Sequence, residues 1–356
     1  MLPKLTYEEL NKTEPNGSTA LHTATFNGHL NIVQLLLENG CARTTLNRYG
    51  NTAFQEAKTS EMRSLFDRSN SQRFIDENST ESFKVVDMDK DNVNMKDGVP
   101  DNWFKGYTNS KNAHESNFMT ALARAPTVVK KFALQQMEQE NQEHLASQVE
   151  CNVGGMDAHT RTRARSLLHE FNIKKSIVNL LTLYTMETPF YGALQHNCES
   201  FTVLLYMHLS ELKSRAYKGY AYRGGKMTND DIQAYRWALR QKERILETRT
   251  VQSMTKNKKT AQGFASNSPS NKPISVLLIF DFREPCLTAI DLTRISEQLP
   301  QLSEYEAEEE VTLLPFTLFQ VRDIKIDTTT GQYKITLENV PAKKKSLVSA
   351  WFDATM

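Results

Sequence analysis

Chemistry is most concentrated in one stretch, Glu306-Ala307-Glu308-Glu309-Glu310-Val311-Thr312-Leu313-Leu314-Pro315. A crowd of carboxylates running straight into an apolar strand is an odd construction. Like charges repel, and an exposed acidic turn has no need to abut Leu313 and Leu314. Glu308 and Glu310 are two positions apart, so on an extended strand they point to one face. Two carboxylates on one face can divide labour, one steadying a cationic intermediate and the other activating a nucleophile. The plainer reading of the same run is a solvated acidic loop.

Two earlier segments could join it. Ala221-Tyr222-Arg223-Gly224-Gly225 puts an arginine at a strand end with two glycines after it. A guanidinium fork suits phosphate, and glycine lets a ligand approach the backbone; a structural turn needs the same residues. Ser253-Met254-Thr255-Lys256 reads as a strand bearing hydroxyls, with Ala261 and Phe264 beyond it. None of the three segments is specific alone.

Their order and spacing are. An arginine strand, a Ser/Thr strand, then Glu-x-Glu leading into a strand resembles the R-S-E class of ADP-ribosyltransferases, which includes arginine-specific vertebrate-type enzymes and related clostridial toxins. Tyr222-Arg223-Gly224 looks like the family's arginine element, Ser253-Met254-Thr255 like its Ser-Thr-Ser element, and Glu308-Glu309-Glu310 like its Glu-x-Glu. The likeness covers roughly residues 180–340. It implies that NAD is a substrate, that no metal takes part, and that ADP-ribose passes to arginine on a protein acceptor as nicotinamide leaves. It further implies that Arg223 holds the NAD phosphates and Gly224 offers backbone to the nicotinamide amide. Ser253 would position Glu310, and Phe264 would pack near nicotinamide. Glu310 would bond the ribose and stabilise the oxocarbenium-like state, and Glu308 would engage the acceptor guanidinium. Two departures stand out: Met254 replaces the central Thr and Thr255 the last Ser. Glu306-Ala307-Glu308 offers a competing frame, but Val311 and Leu313-Leu314-Pro315 follow Glu308 and Glu310 at the family's distance. NAD glycohydrolysis shares the cleavage step, and a non-catalytic ankyrin scaffold with a degenerate transferase domain is the alternative from another class.

Such residues need strands to carry them. Short β-type runs are predicted at 219–223, 274–282, 310–314, 317–321 and 333–337, the last two joined through Thr328-Thr329-Thr330-Gly331 as a hairpin. Helical patterns fill 116–147 and 160–196, a single helix is expected over 198–213 and another over 230–241. At the N-terminus, Asn16-Gly17-Ser18-Thr19-Ala20-Leu21-His22 is echoed by Tyr49-Gly50-Asn51-Thr52-Ala53-Phe54-Gln55. The offset of about 33 residues is the ankyrin period. Ile32, Val33, Leu36 and Leu37 are expected on one helix face, Gly40 as the helix stop, and His22 as a structural histidine.

The predicted fold is therefore α+β: a mixed-sheet ADP-ribosyltransferase core with a helical N-terminal lobe, preceded by a short helical ankyrin segment. The expected division is ankyrin segment 1–68, polar linker and helical region 69–160 with a strand at Ser82-Phe83-Lys84-Val85-Val86, transferase domain 161–341 and tail 342–356. A formal charge of +1 shows no global pull toward nucleic acid or anionic membrane. Four widely spaced cysteines without CxxC argue against structural zinc and a disulfide framework. No leader-like or bilayer-length apolar run is visible, and a soluble cytoplasmic protein is expected. Its partners would be NAD, an arginine-bearing acceptor, and a protein bound through the ankyrin segment.

Overall fold

Thr19 starts the first repeat as a helix cap. Its hydroxyl accepts from the His22 amide, while His22 Nδ1 sits 2.9 Å from the same hydroxyl and Nε2 3.1 Å from the Asn51 carbonyl. His22 thus uses one ring nitrogen in its own helix cap and the other on the second repeat, the structural histidine the sequence predicts. The computed structural model describes residues 5–68, 83–87, 127–240, 244–267 and 274–341. Their contacts form two compact units. Each unit is assembled from three separated stretches of chain.

The first unit draws on Met1–Asn70, His144–Ala193 and Leu292–Glu310. It begins with α1 (Tyr7–Leu10), α2 (Ala20–Phe26), α3 (Leu30–Glu38), a 3-10 turn at Phe54–Glu56 and α4 (Ser60–Ser64). Leu21, Ala24, Val33 and Leu36 pack with Ala53, Met62 and Phe66. Ile32, expected on the buried face, is 49% exposed. It lies at the edge of the 3.6-residue stripe, whose centre falls on Val33 and Leu36. Gly40 has φ 71°, and a Cβ there would stand 3.0 Å from that of His159. Both the helix stop and the close approach require glycine. From His144 on, α5 (Thr127–Val153) belongs here and buries Leu145, Val149 and Val153 at four-residue spacing. Next come α6 (Ala158–Lys174), capped by Asp157, and α7 (Ile177–Thr185), which is buried over most of its length.

The second unit draws on Ser71–Glu143, Leu194–Asp291 and Val311–Met356. After α8 (Pro189–His196), the helix expected over 198–213 is broken into α9 (Glu199–Met207) and a 3-10 turn at Leu209–Arg215. His208 leaves helical backbone at φ −107°, and its Nδ1 lies 2.7 Å from Glu211. The strands are β1 (Phe83–Asp87), β2 (Ala216–Met227), β3 (Arg244–Thr248), β4 (Gln252–Thr255), β5 (Ile274–Asp291), β6 (Glu310–Leu313), β7 (Leu318–Ile326) and β8 (Tyr333–Asn339). They form one sheet in the order β1-β3-β7-β8-β5-β2-β4-β6, with β5 also pairing β6. β5 and β8 run parallel, and the other registered pairs are antiparallel. Helices α10 (Asn229–Ala238) and α11 (Lys258–Asn267) complete it. The apolar core takes alternate residues of the strands, among them Val276, Leu278, Phe280 and Phe282 of β5.

The expected hairpin joins β7 to β8. Asp327 accepts from the amides of Thr329 and Thr330, Gly331 adopts φ 70°, and Lys334 pairs with the same carboxylate at 2.5 Å. Among the described residues, no helix is long and apolar enough to cross a membrane.

Candidate active site

The sheet unit holds the arginine and serine elements. Arg223 lies on β2, where Arg223 pairs with Leu278 and Gly224 with Leu277 of β5. Its side chain is 2% exposed, and Nη1 donates to the Ser253 carbonyl at 2.6 Å. The two elements are thus fastened directly to each other, and Gly224 is buried beside them. Ser253 and Thr255 are fully buried, with Thr255 Oγ1 accepting from the Asn257 amide at 2.9 Å. Met254 is also fully buried, and it belongs to the apolar core of the sheet. Strand alternation explains the departure noted in the sequence: a methionine stands where the chain faces hydrocarbon. Lys256 closes the segment with an ion pair to Asp291 at 2.7 Å. Phe264 falls on α11, and its side chain lies outside the described residues.

The ankyrin unit holds the glutamates. Here the strand expectation is corrected. Glu308 closes a 3-10 turn (Glu306–Glu308), Glu309 adopts left-handed backbone at φ 46°, and only Glu310 begins β6. A left-handed non-glycine residue costs about 1 kcal/mol or more, and this one reverses the chain between the two carboxylates. Glu308 and Glu310 consequently do not share the face of one strand.

Glu304, Glu306, Glu308 and Glu310 of the loop each have their own partner. Glu310 is fully buried and accepts from Ser303 Oγ at 3.2 Å. Glu308 receives a guanidinium side-on: Arg68 Nε donates to Oε1 at 2.9 Å and Nη2 to Oε2 at 3.1 Å. Nη2 also donates to the Thr185 carbonyl at 3.1 Å, and the guanidinium lies 3.7 Å above the Tyr305 ring. The pair is nearly dry, the side chains being 4% and 8% exposed. Glu306, first residue of the competing frame, accepts from Thr52 Oγ1 at 2.7 Å and from the Gln55 amide. Thr52 and Gln55 stand at the Thr and His positions of the second ankyrin echo. Glu304 pairs with Arg163 at 3.0 Å.

Tyr305 binds the group from below. Its hydroxyl donates to Glu187 at 2.9 Å, and burial, with that carboxylate nearby, pushes its pKa up to about 12. The phenol therefore remains a proton donor at neutral pH. A cavity of about 540 Å³ opens alongside, lined among others by Arg43, Arg68, Arg163, Glu187, Glu304 and Tyr305.

Ser303, Tyr305, Thr185 and Arg68 escaped the sequence reading. Arg68 is separated from Glu308 by 240 positions, so no local spacing could pair them. The Thr/Gln echo in the second repeat was the one available signal that this segment has polar business outside its own repeat.

Among solved structures, the chain is similar to the type III effector XopAI from Xanthomonas axonopodis pv. citri, at 16% identity over 65% of this chain and 89% of that one, with a TM-score of 0.33. It is similar to the Vis toxin, an ADP-ribosyltransferase from Vibrio splendidus, at 17% identity over 59% and 86%, with a TM-score of 0.29. Exoenzyme S from Pseudomonas aeruginosa, bound to carba-NAD and human 14-3-3 protein beta, matches at 16% identity over 56% and 88%, with a TM-score of 0.33. Among curated proteins, the NAD-capped RNA hydrolases NUDT12 of Homo sapiens and Macaca fascicularis are 52% identical over 48 residues. That match spans 14% of this chain and about a tenth of theirs. Residues 2–65 match the family model described as ankyrin repeats in three copies, so the N-terminal segment of this chain is an ankyrin-repeat segment.

Proposed function

We propose that this chain is a mono-ADP-ribosyltransferase that moves ADP-ribose from NAD to the guanidinium of a protein arginine. The observation that carries this reading is Glu308, a buried carboxylate that already grips a guanidinium with both oxygens, two residues before the fully buried Glu310. A planar fork matched to a carboxylate is how arginine is told from lysine. Arg223 and Ser253, fastened to each other on neighbouring strands, support the NAD side of the reading.

The roles follow. Arg223 binds the NAD phosphates, with Gly224 leaving room at the backbone. The bond from ribose C1′ to the nicotinamide nitrogen breaks, its electron pair leaving with nicotinamide. Glu310, oriented by Ser303, stabilises the positive charge that builds on the ribose. An acceptor guanidinium nitrogen then forms the new bond to C1′ and yields its proton to Glu308. NAD glycohydrolysis is the second reading. It is favoured by one observation: with Arg68 on Glu308, water is left as the acceptor.

Incubation of wild type and Glu310→Gln with labelled NAD and an arginine-rich acceptor tests the reading. Wild type is expected to label the acceptor, and Glu310→Gln to release nicotinamide at least about 100-fold more slowly. Nicotinamide release without labelling moves the assignment to the glycohydrolase. Neither activity in wild type sinks both.

A further inference from the structure

We infer that Glu308, the Tyr305 ring and the Thr185 carbonyl form a seat for an arginine guanidinium, and that Arg68 of the ankyrin segment is its tethered occupant. The inference rests on the proposed function for what the seat is used for, but the seat itself is defined by contacts of the chain. Three kinds of contact converge on one cation. The carboxylate takes two parallel N–H groups, a carbonyl takes a third hydrogen bond, and an aromatic face lies 3.7 Å away. Lysine could use one of the carboxylate contacts but not the pair.

Burial decides between two roles for Arg68. At 4% exposure, and tied by its own backbone to a folded segment, Arg68 is not free to approach the ribose carbon as a separate acceptor is. Arg68 therefore imitates an acceptor and keeps others out. Because it is part of the same chain, it competes intramolecularly. A protein acceptor must displace the end of the ankyrin segment, whose Asp67 and Arg68 border the cavity that also touches Tyr305. Binding of a partner to the ankyrin repeats is the natural way to draw Arg68 off.

The full chain, as wild type, Arg68→Ala and Arg68→Lys, would be assayed in two ways. First, kinetics with agmatine as a small guanidino acceptor should give a KM at least about tenfold lower in Arg68→Ala, with acceptor-free nicotinamide release within about twofold of wild type. Arg68→Lys, which keeps a cation in place should Arg68→Ala fail to fold, should lower KM in the same direction. Second, without NAD, millimolar ethylguanidinium should raise the melting temperature of Arg68→Ala more than ethylammonium does. It should leave wild type unmoved, and the gain should vanish in Arg68→Ala/Glu308→Gln. An unchanged KM together with no guanidinium-specific shift overturns the seat, and ADP-ribose found on Arg68 itself overturns the role of inert occupant. If no protein releases nicotinamide, the transferase reading fails, and the melting shifts alone decide the seat.

Discussion

In the sheet unit, strand register places the candidate residues. Arg223 sits opposite Leu278 on β5 and reaches a backbone carbonyl, and Met254 faces hydrocarbon between two buried hydroxyl residues. In the ankyrin unit, placement is by charge and amide pairing over long sequence distances. Glu304, Glu306 and Glu308 answer to Arg163, to Thr52 with Gln55, and to Arg68. Register is cooperative and indifferent to any one side chain, whereas a loop held by discrete polar partners can be freed one partner at a time. On the proposed reading, the residues assigned to NAD are those held by strand register. Glu306, by contrast, is held by residues of the ankyrin segment and Glu308 by Arg68 just beyond it.

The largest test of that contrast is Arg163→Met. Removing one member of a buried ion pair leaves the other charged and unsatisfied, which costs about 3 kcal/mol after allowing for the partial exposure of Arg163. The loss should be local. Amides of the acidic loop, such as Leu302 and Glu308, which bond Leu292 and Tyr305, should exchange with deuterium about 100-fold faster. Amides of β2 and β5 should keep their protection. Equal acceleration in both units would show that the loop is not held separately.

Met254→Thr strikes the other side. Restoring the hydroxyl that the transferase resemblance calls for would place an oxygen in the apolar core and shorten the side chain. The expected cost is about 2 kcal/mol, seen as a lower denaturant midpoint, with no gain in nicotinamide release. A faster enzyme would mean that this position serves the site and not the core.

What the sequence made legible divides along the same line. β2, β5, β7 and β8 announce themselves because an alternating pattern or a turn motif is local, and so does the ankyrin offset from Gly17 to Gly50. Arg223, Ser253 and Glu310 were singled out by their order along the chain, and each lies on a strand. The Arg68–Glu308 pair was not, since ion pairing leaves no periodic trace when its members are distant in sequence. Nor was the reversal at Glu309, because nothing in a run of glutamates marks the one whose backbone turns left-handed. β5 was expected to stop near Phe282 and instead continues to Asp291. Its second half, from Arg283 through Thr288, is too polar to read as a strand, yet its end pairs with β6.

The smallest effect expected is a proton. Burial holds the Tyr305 hydroxyl to a pKa of about 12 against an ordinary 10, so between those values the unfolded chain gives up a proton that the folded chain keeps. This stabilisation is therefore complete below pH 10 and is lost as the pH climbs toward 12. At pH 11 the loss from this one group is about 1.4 kcal/mol. Tyr305→Phe retains the ring beneath Arg68 and removes only the titration, so its unfolding free energy should fall less between pH 8 and pH 11, by about that amount. Tyr7 and Cys41, raised by burial to about 12 in the same unit, will keep part of the alkaline loss in the variant. An unchanged pH dependence would assign the whole loss to groups other than Tyr305, and would mean that water reaches the ring on which the Arg68 guanidinium rests.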